Sequence, residues 1–306
     1  STAQPDDDLA VTYDLTDAVT AGVAWYRNSS PMAGLYLPIE GGATNGLLDL
    51  SGNSHTMTTV GTASTAWLPT GGHAGTGAFS FSSAFYINAG EVFPTSASYT
   101  KVAWVKRTGA GSNNIMSSQD VTGGHVFYAS QSQSFRLGAG QVGAWNTVQD
   151  PIPLALDVWY HVAVTFDYGT GAMVLYKDGV VVDNATIAAD KLDILDATLL
   201  VGAFANSSQW IGDIDEARLY GYPLSPEQVA ALYAGDGIDA VETTLGDTWY
   251  ADVTPFSTTE MGPTVSSNTV TIVTGVPAVS GIPDQSVAEG SSFATSFITA
   301  WCRLFT

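Results

Sequence analysis

The sequence predicts an all-β protein built around a two-sheet antiparallel sandwich, and three observations carry that expectation. Short runs rich in β-branched and aromatic residues, such as "YTKVAWVKR", "WYHVAVTFDY" and "AMVLYKDGVVV", recur between glycine, serine and asparagine clusters, as strands and turns do in a sandwich or barrel. Within "WYHVAVTFD", Tyr160, Val162, Val164 and Phe166 fall on one face and Trp159, His161, Ala163 and Thr165 on the other, which is the period of a strand with a core face. Asp178-Gly179 separates two apolar runs. A type I′ turn needs positive φ at both central residues, which Asp and Gly tolerate, so a hairpin is expected with strands 173–177 and 180–184.

Taken in chain order, "DDLAVTYDLTDA" and "VAWYRNSSPMA" supply β formers before residue 35, and "LLDLSGNSHTMT" then sets Asp49 and Asn53 around a Ser51-Gly52 turn. "GAFSFSS", "GHVFYAS", "SFRLGAG", "TLLVGAF" and "IDEARLY" follow as further short strands. One convincing helix starts at "LSPEQV". Ser225 caps it, Pro226 takes the first helical position, Gln228 completes a capping box, Leu224 and Val229 form a hydrophobic staple, and Gly235 stops it. Val229, Leu232 and Tyr233 make a short apolar stripe, enough to dock the helix on a sandwich edge. "VETTLGDTWYADVTPF" and "SSNTVTI" return to strand patterning, and "IPDQSVAEGSSF" opens a different register.

Length and charge narrow the function. A chain of 306 residues favours two domains at roughly 100–200 residues each. The net charge of −20 repels phosphate backbones and anionic membranes, so nucleic acid is not an expected partner. Divalent cations and neutral glycans are compatible with it. No stretch reaches the roughly 18–20 apolar residues that span a bilayer, so no membrane insertion is expected. The opening "STAQPDDDLA" has no charged-then-apolar leader pattern and reads as the start of an excised fragment. The single cysteine, Cys302, precludes an internal disulfide or a cysteine metal cluster.

"WYHVAVTFD", "LYKDGVVV" and "IGDIDEARLYGYPLSPEQVAALY", with "LLDLSGNSHTMT" and "GAFSFSSAFYINAG" upstream, resemble the laminin G-like domain of the concanavalin A-like lectin/glucanase group over about residues 35–236. The resemblance implies a jelly roll of two antiparallel sheets and much less about function. The flanks, 9–34 and 237–274, resemble two halves of one immunoglobulin-like module of bacterial surface proteins, each too short to bury a core alone. Joined, they would form a smaller β-sandwich with Trp25 and Trp249 between its sheets, and the lectin-like domain would be inserted into it. Two linkers rich in β formers are the alternative. Residues 275–306 read as a linker and the start of a further repeat, with "TAWCRLFT" an artificial end.

Glucanases of this fold carry a Glu-x-Asp-x-Glu array, with alternate carboxylates on one face for nucleophile and acid roles. This sequence lacks one, and no catalytic residue is assigned. In a regular strand Asp213 and Asp215 share a face, Glu216 points away and Arg218 lies on the side of Glu216. Asp215 also alternates with Ala217 and Leu219, which the family pattern directs inward. The four histidines show no zinc spacing. Calcium is the better use of the carboxylates: related jelly rolls tie an early segment to the last strand with one ion, implying ligands among Asp49, Asn53, Asp213 and Asp215. An Asx turn at Asp49 and solvation of Asp213 are the alternative. Sugar binding calls for aromatic faces beside planar polar groups, which Trp145, Asn146, Asn206, Gln209 and Trp210 offer; the alternative is that these tryptophans plug sandwich edges. The expected function is a non-enzymatic, lectin-like module of a larger extracellular bacterial protein, binding a carbohydrate or a cell-surface ligand. An accessory part of a polysaccharide-degrading glycoside hydrolase and a structural spacer are the alternatives.

Overall fold

The computed structural model describes residues 2–274 and the strand Phe297–Trp301. The other residues of 275–306, Cys302 among them, lie outside the described residues, with the expectations attached to them.

The chain folds as an antiparallel sandwich. One sheet places Val180–Thr186, Ala172–Lys177, Trp159–Phe166, Tyr99–Arg107, Gly212–Tyr220, Ala78–Phe81 and Trp67–Leu68 in that spatial order, and Leu35–Leu37 pairs with the far end of Gly212–Tyr220. Facing it are a four-stranded sheet, with Thr198–Val201 and Tyr86–Glu91 at its centre, and a three-stranded sheet of His125–Tyr128, Arg136–Gln141 and Ala144–Pro153. Phe79, Phe81, Val162, Val164 and Phe166 of the large sheet join Ile87, Leu199 and Val148 of the smaller ones in one fully buried core. The inward series of Trp159–Phe166 is the one its alternation sets.

The local signals behave as their chemistry dictates, with two exceptions. Asp178 and Gly179 have φ of 52° and 76°, so the hairpin between Ala172–Lys177 and Val180–Thr186 turns through the primed geometry. Ser225 accepts the Gln228 N–H at 3.0 Å and starts the helix Pro226–Gly235. Gln228 does not close the capping box. Its side chain donates to the Gly237 carbonyl and accepts the Asp239 N–H, while Glu242 takes the Ser225 N–H and hydroxyl instead. The docking stripe is also narrower than expected: Val229 and Leu232 are buried, but Tyr233 is 43% exposed and leans toward Trp104 and His161.

A second core covers the outer face of the large sheet. The flanking strands Thr20–Arg27 and Thr248–Phe256 pair antiparallel, extended by Ser30–Pro31, Val270–Ile272 and Thr2–Ala3. Trp25, Trp249, Val270 and Ile272 of this sheet pack with Leu224, Val229 and Leu232 around the helix and with Val102, Ala163 and Tyr176 of the large sheet. The large sheet is therefore apolar on both faces, which is why every residue from 161 to 166 is buried.

One charge is enclosed in the first core. Lys101 is fully buried, donates to the Met116 carbonyl at 3.0 Å and touches His125 Nδ1 at 2.6 Å, with the Phe93 and Tyr99 rings alongside. Burial without a carboxylate partner holds the Lys101 amine well below its usual range. Between that depressed value and the ordinary lysine value of about 10.4 the unfolded chain binds more protons than the folded one, so stability rises with pH there. In urea melts from pH 7 to pH 10 the wild type should gain stability relative to Lys101→Met. A difference that stays constant with pH would show that Lys101 is not held neutral.

Candidate functional site

The outer face of the three-stranded sheet carries the cleft best suited to a ligand. In Arg136–Gln141, Leu137 and Ala139 point into the core, leaving Gly138 and Gly140 on the other face. A Cβ at Gly138 would stand 2.8 Å from the Tyr128 ring, and one at Gly140 would stand 2.2 Å from the Ala144 carbonyl. Glycine is what lets Tyr128 and the Trp145 hairpin close over this floor. A cavity of about 380 Å³ results, lined by Trp145, Phe204, Tyr128 and Val126 with Asn146, Asn114, Gln133 and several serines, and by no charged side chain.

The polar groups of this cleft are oriented by one another. Tyr128 donates its hydroxyl to Asn146 Oδ1, which also accepts from Gln149 Nε2 at 3.2 Å. Burial raises Tyr128 to about 12, so it remains a neutral donor. Asn114 Nδ2 is spent on the Ser208 carbonyl at 3.0 Å, fixing the loop that carries Phe204. Trp145 meets Phe204 edge-on with ring centroids 5.7 Å apart. The arrangement presents apolar ring surface beside amide and hydroxyl groups, the combination that suits a sugar ring with its apolar face and polar edge.

Of the residues singled out in the sequence, Trp145 and Asn146 line this cleft. Asn206 accepts the Tyr86 hydroxyl at 3.1 Å and shapes the tight turn beside Phe204, and the Gln209 carbonyl accepts the Asn113 N–H. Trp210 has no exposed surface and belongs to the sandwich core, so its ring cannot meet a ligand. Tyr128, Phe204, Asn114 and Gln133 were not singled out. The alternation of "HVFY" does place Val126 and Tyr128 opposite the core-facing His125 and Phe127, and is the signal that could have found Tyr128.

Asp49 accepts N–H groups from Tyr36, Ser51 and His55 at 2.9–3.0 Å, while Asn53 donates to the carbonyls of Ala33 and Gly34. Together they bind the 49–55 loop to its neighbouring strand. Asp213 pairs with Lys106 at 2.8 Å. Among the described residues, no group of three or more His, Cys, Asp or Glu side chains is placed to hold a metal ion.

The closing strand departs from its expected alternation. Trp104 pairs with Asp215 and Val102 with Arg218, so Glu216 and Ala217 on one strand answer the single Ala103 on the other, and Glu216 sits in the bulge at φ 51°. The extra residue turns Asp215 and Arg218 to the same outer face, while Ala217 and Leu219 remain in the core. Asp215, fully buried, accepts from His73 Nδ1 at 2.8 Å and from the His73 N–H at 3.2 Å. His73 lies flat on Trp104, 4.2 Å between centroids. Arg218 bonds Glu216 at 2.7 Å and Asp236 at 2.6 Å. Burial pushes Asp215 well up, Glu216 up to about 8 even beside Arg218, and His73 down.

Comparisons with known proteins agree with this architecture. Residues 79–230 match the concanavalin A-like lectin/glucanases superfamily. No curated protein matches the sequence. Among solved structures, domain 4 of AbnA, a GH43 extracellular arabinanase from Geobacillus stearothermophilus in complex with arabinotriose, aligns at 19% identity with a TM-score of 0.52, over 66% of this chain and 98% of that one. A structure of botulinum neurotoxin type C, whose cell entry depends upon interaction with two ganglioside molecules, aligns at 14% identity and a TM-score of 0.49. The alignment covers 65% of this chain and 50% of that one. The botulinum neurotoxin DC binding domain in complex with SialylT also aligns at 14% identity and 0.49, over 70% and 53%. The chain spans about half the length of these toxin structures.

The hydrogen bonds at Asp49 set an expected outcome. Asp49→Ala leaves three N–H groups without their acceptor and should cost about 1–3 kcal/mol in urea unfolding, with an unchanged m-value. A loss within the scatter of surface substitutions would show that the loop is held by other contacts.

Proposed function

We propose that the Trp145 cleft binds a neutral oligosaccharide and that the chain is a non-enzymatic carbohydrate-binding module of a larger extracellular protein. The observation that carries this reading is the lining itself: two aromatic rings, Trp145 and Phe204, beside oriented amide and hydroxyl groups, with no charge. In a protein of net charge −20, an uncharged cleft suits a neutral ligand better than an acidic one. The lining offers no carboxylate pair, so it lacks the groups that glycoside hydrolysis requires.

The likeness to an arabinanase domain seen with arabinotriose favours one setting in particular, an accessory domain of a polysaccharide-degrading enzyme. Neutral plant-type glycans such as arabinan are therefore the first ligands to try. The flanks around residues 20–27 and 248–256 pair with each other, but Trp25 and Trp249 pack on the helix and the large sheet rather than between two sheets of their own, so the flanks brace the module. The proposed binding does not depend on calcium, because Asp49, Asn53, Asp213 and Asp215 lie outside the lining of the cleft, which carries no carboxylate.

Titration calorimetry against arabinan, xylan and mannan oligosaccharides should give saturable binding to at least one, unchanged by chelator. Trp145→Ala should weaken it tenfold or more, a loss of about 1.4 kcal/mol. Asn146→Ala should weaken it less, since one amide is lost while the ring platform stays. Trp210→Phe should lower the melting temperature and leave affinity unchanged. A folded protein that binds no neutral glycan would sink the reading and leave a structural spacer in its place.

A further inference from the structure

We propose that a second pocket, where the outer face of the large sheet meets the helix and the flanking strands, binds a primary ammonium group carried by a small amine or a lysine side chain. The pocket encloses about 230 Å³ and is bordered by Glu40, His73, Trp104, His161, Tyr233 and Asp236. That is room for an alkylammonium and little for a sugar chain, given that drug-sized ligands fill roughly 300–1,000 Å³.

Charge bookkeeping indicates what is missing. Carboxylates from Glu40, Glu216 and Asp236 line the pocket, Asp215 lies buried behind His73, and the guanidinium of Arg218 is already shared between Glu216 and Asp236. Glu40 is 3% exposed and accepts the Gly77 N–H at 2.8 Å, but no lysine or arginine pairs with it among the described residues. Burial raises its carboxyl, as it does that of Asp215, and an entering cation would return these groups to the ionised form.

An independent sign comes from His161. It is 2% exposed, borders the pocket, and its Nδ1 has no hydrogen-bond partner. A buried polar atom in this state calls for a ligand or water. Burial lowers His161 to about 3, so the ring is neutral, and in the tautomer that carries its proton on Nε2 the Nδ1 accepts a hydrogen bond. An ammonium supplies three donors to such acceptors. Tyr233, its ring centroid 5.7 Å from that of Trp104, adds an aromatic face that attracts a desolvated cation, while His73 covers a face of Trp104 itself. Tyr233 and Tyr13, both about two-fifths exposed, leave the pocket open to solvent.

The test uses the whole chain and two probes, n-butylammonium and Nα-acetyl-lysine amide, with n-butanol as the neutral control. Both ammonium probes should bind saturably by calorimetry, and on adding them the His73 and His161 ring signals should shift in proton NMR; butanol should do neither. Binding of the lysine derivative alone would still support the proposal and assign the site to a side chain. Glu40→Gln, checked for an intact melt, should weaken binding about fivefold or more. The proposal is overturned if folded wild type binds neither ammonium, if butanol binds equally, or if binding leaves both histidine signals unmoved. The NMR readout requires no variant, so a Glu40→Gln chain that fails to fold leaves the proposal open to disproof.

Discussion

The single extra residue at Glu216 decides which side of the molecule the charges of the closing strand face. Without that bulge, strict alternation would put Asp215 and Arg218 on opposite faces and drive one of them into the apolar core. A buried charge with no partner costs several kcal/mol, on the order of the total stability of a domain. With the bulge, Ala217 and Leu219 keep the core packed while Asp215 and Arg218 meet His73, Glu216 and Asp236 on the outer face. Glu216 itself takes a positive φ that a non-glycine residue tolerates only when its surroundings fix it. Its bond to Arg218 and the flanking ladder to Tyr99–Arg107 supply that constraint.

The charges on the outer face must pair with one another because the flanking sheet and helix cover most of it. Trp25 and Trp249 pack onto the back of the sandwich, and with Leu224, Val229 and Leu232 they make a second core that includes Val102 and Ala163 of the large sheet. The flanking sheet thus shares its apolar interior with the domain it brackets. This sharing ties the two chain ends to the sandwich mechanically. A ligand held at the Trp145 cleft would load one side of the sandwich while the flanks grip the other.

Much of the fold was legible because its signals are local. The Asp178-Gly179 turn, the Ser225 cap and the alternation of Trp159–Phe166 each follow from a few adjacent residues, and each holds. The bulge was not legible, since nothing in "GDIDEARLY" marks which residue the partner strand will skip. Gln228 was misassigned for a related reason: its competitor for Ser225, Glu242, arrives from beyond the helix. For the cleft, Trp145 and Asn146 were visible as an aromatic beside an amide. Trp210 had the same appearance and is core, because in "QWIGD" no local feature separates a rim tryptophan from one that enters the sandwich. Phe204, Tyr128 and Asn114 come together only through register and loop closure.

The two recesses differ in chemistry in a way that follows from what covers them. The cleft lies where Gly138 and Gly140 let Tyr128 and the Trp145 hairpin settle close on the sheet, its polar groups are neutral, and its aromatic rings need no counter-charge. Water can fill it at little cost, so a neutral ligand gains chiefly by covering ring surface. The seam pocket lies between two packed layers, where withdrawal from water makes each unpaired carboxylate expensive and each added cation correspondingly favourable. Glu40 and the idle nitrogen of His161 are therefore more than irregularities of packing. The same burial that stabilises the second core leaves these acceptors short of donors, and a sheet covered on both faces can accommodate that shortage only where the covering layers part, at Tyr13 and Tyr233.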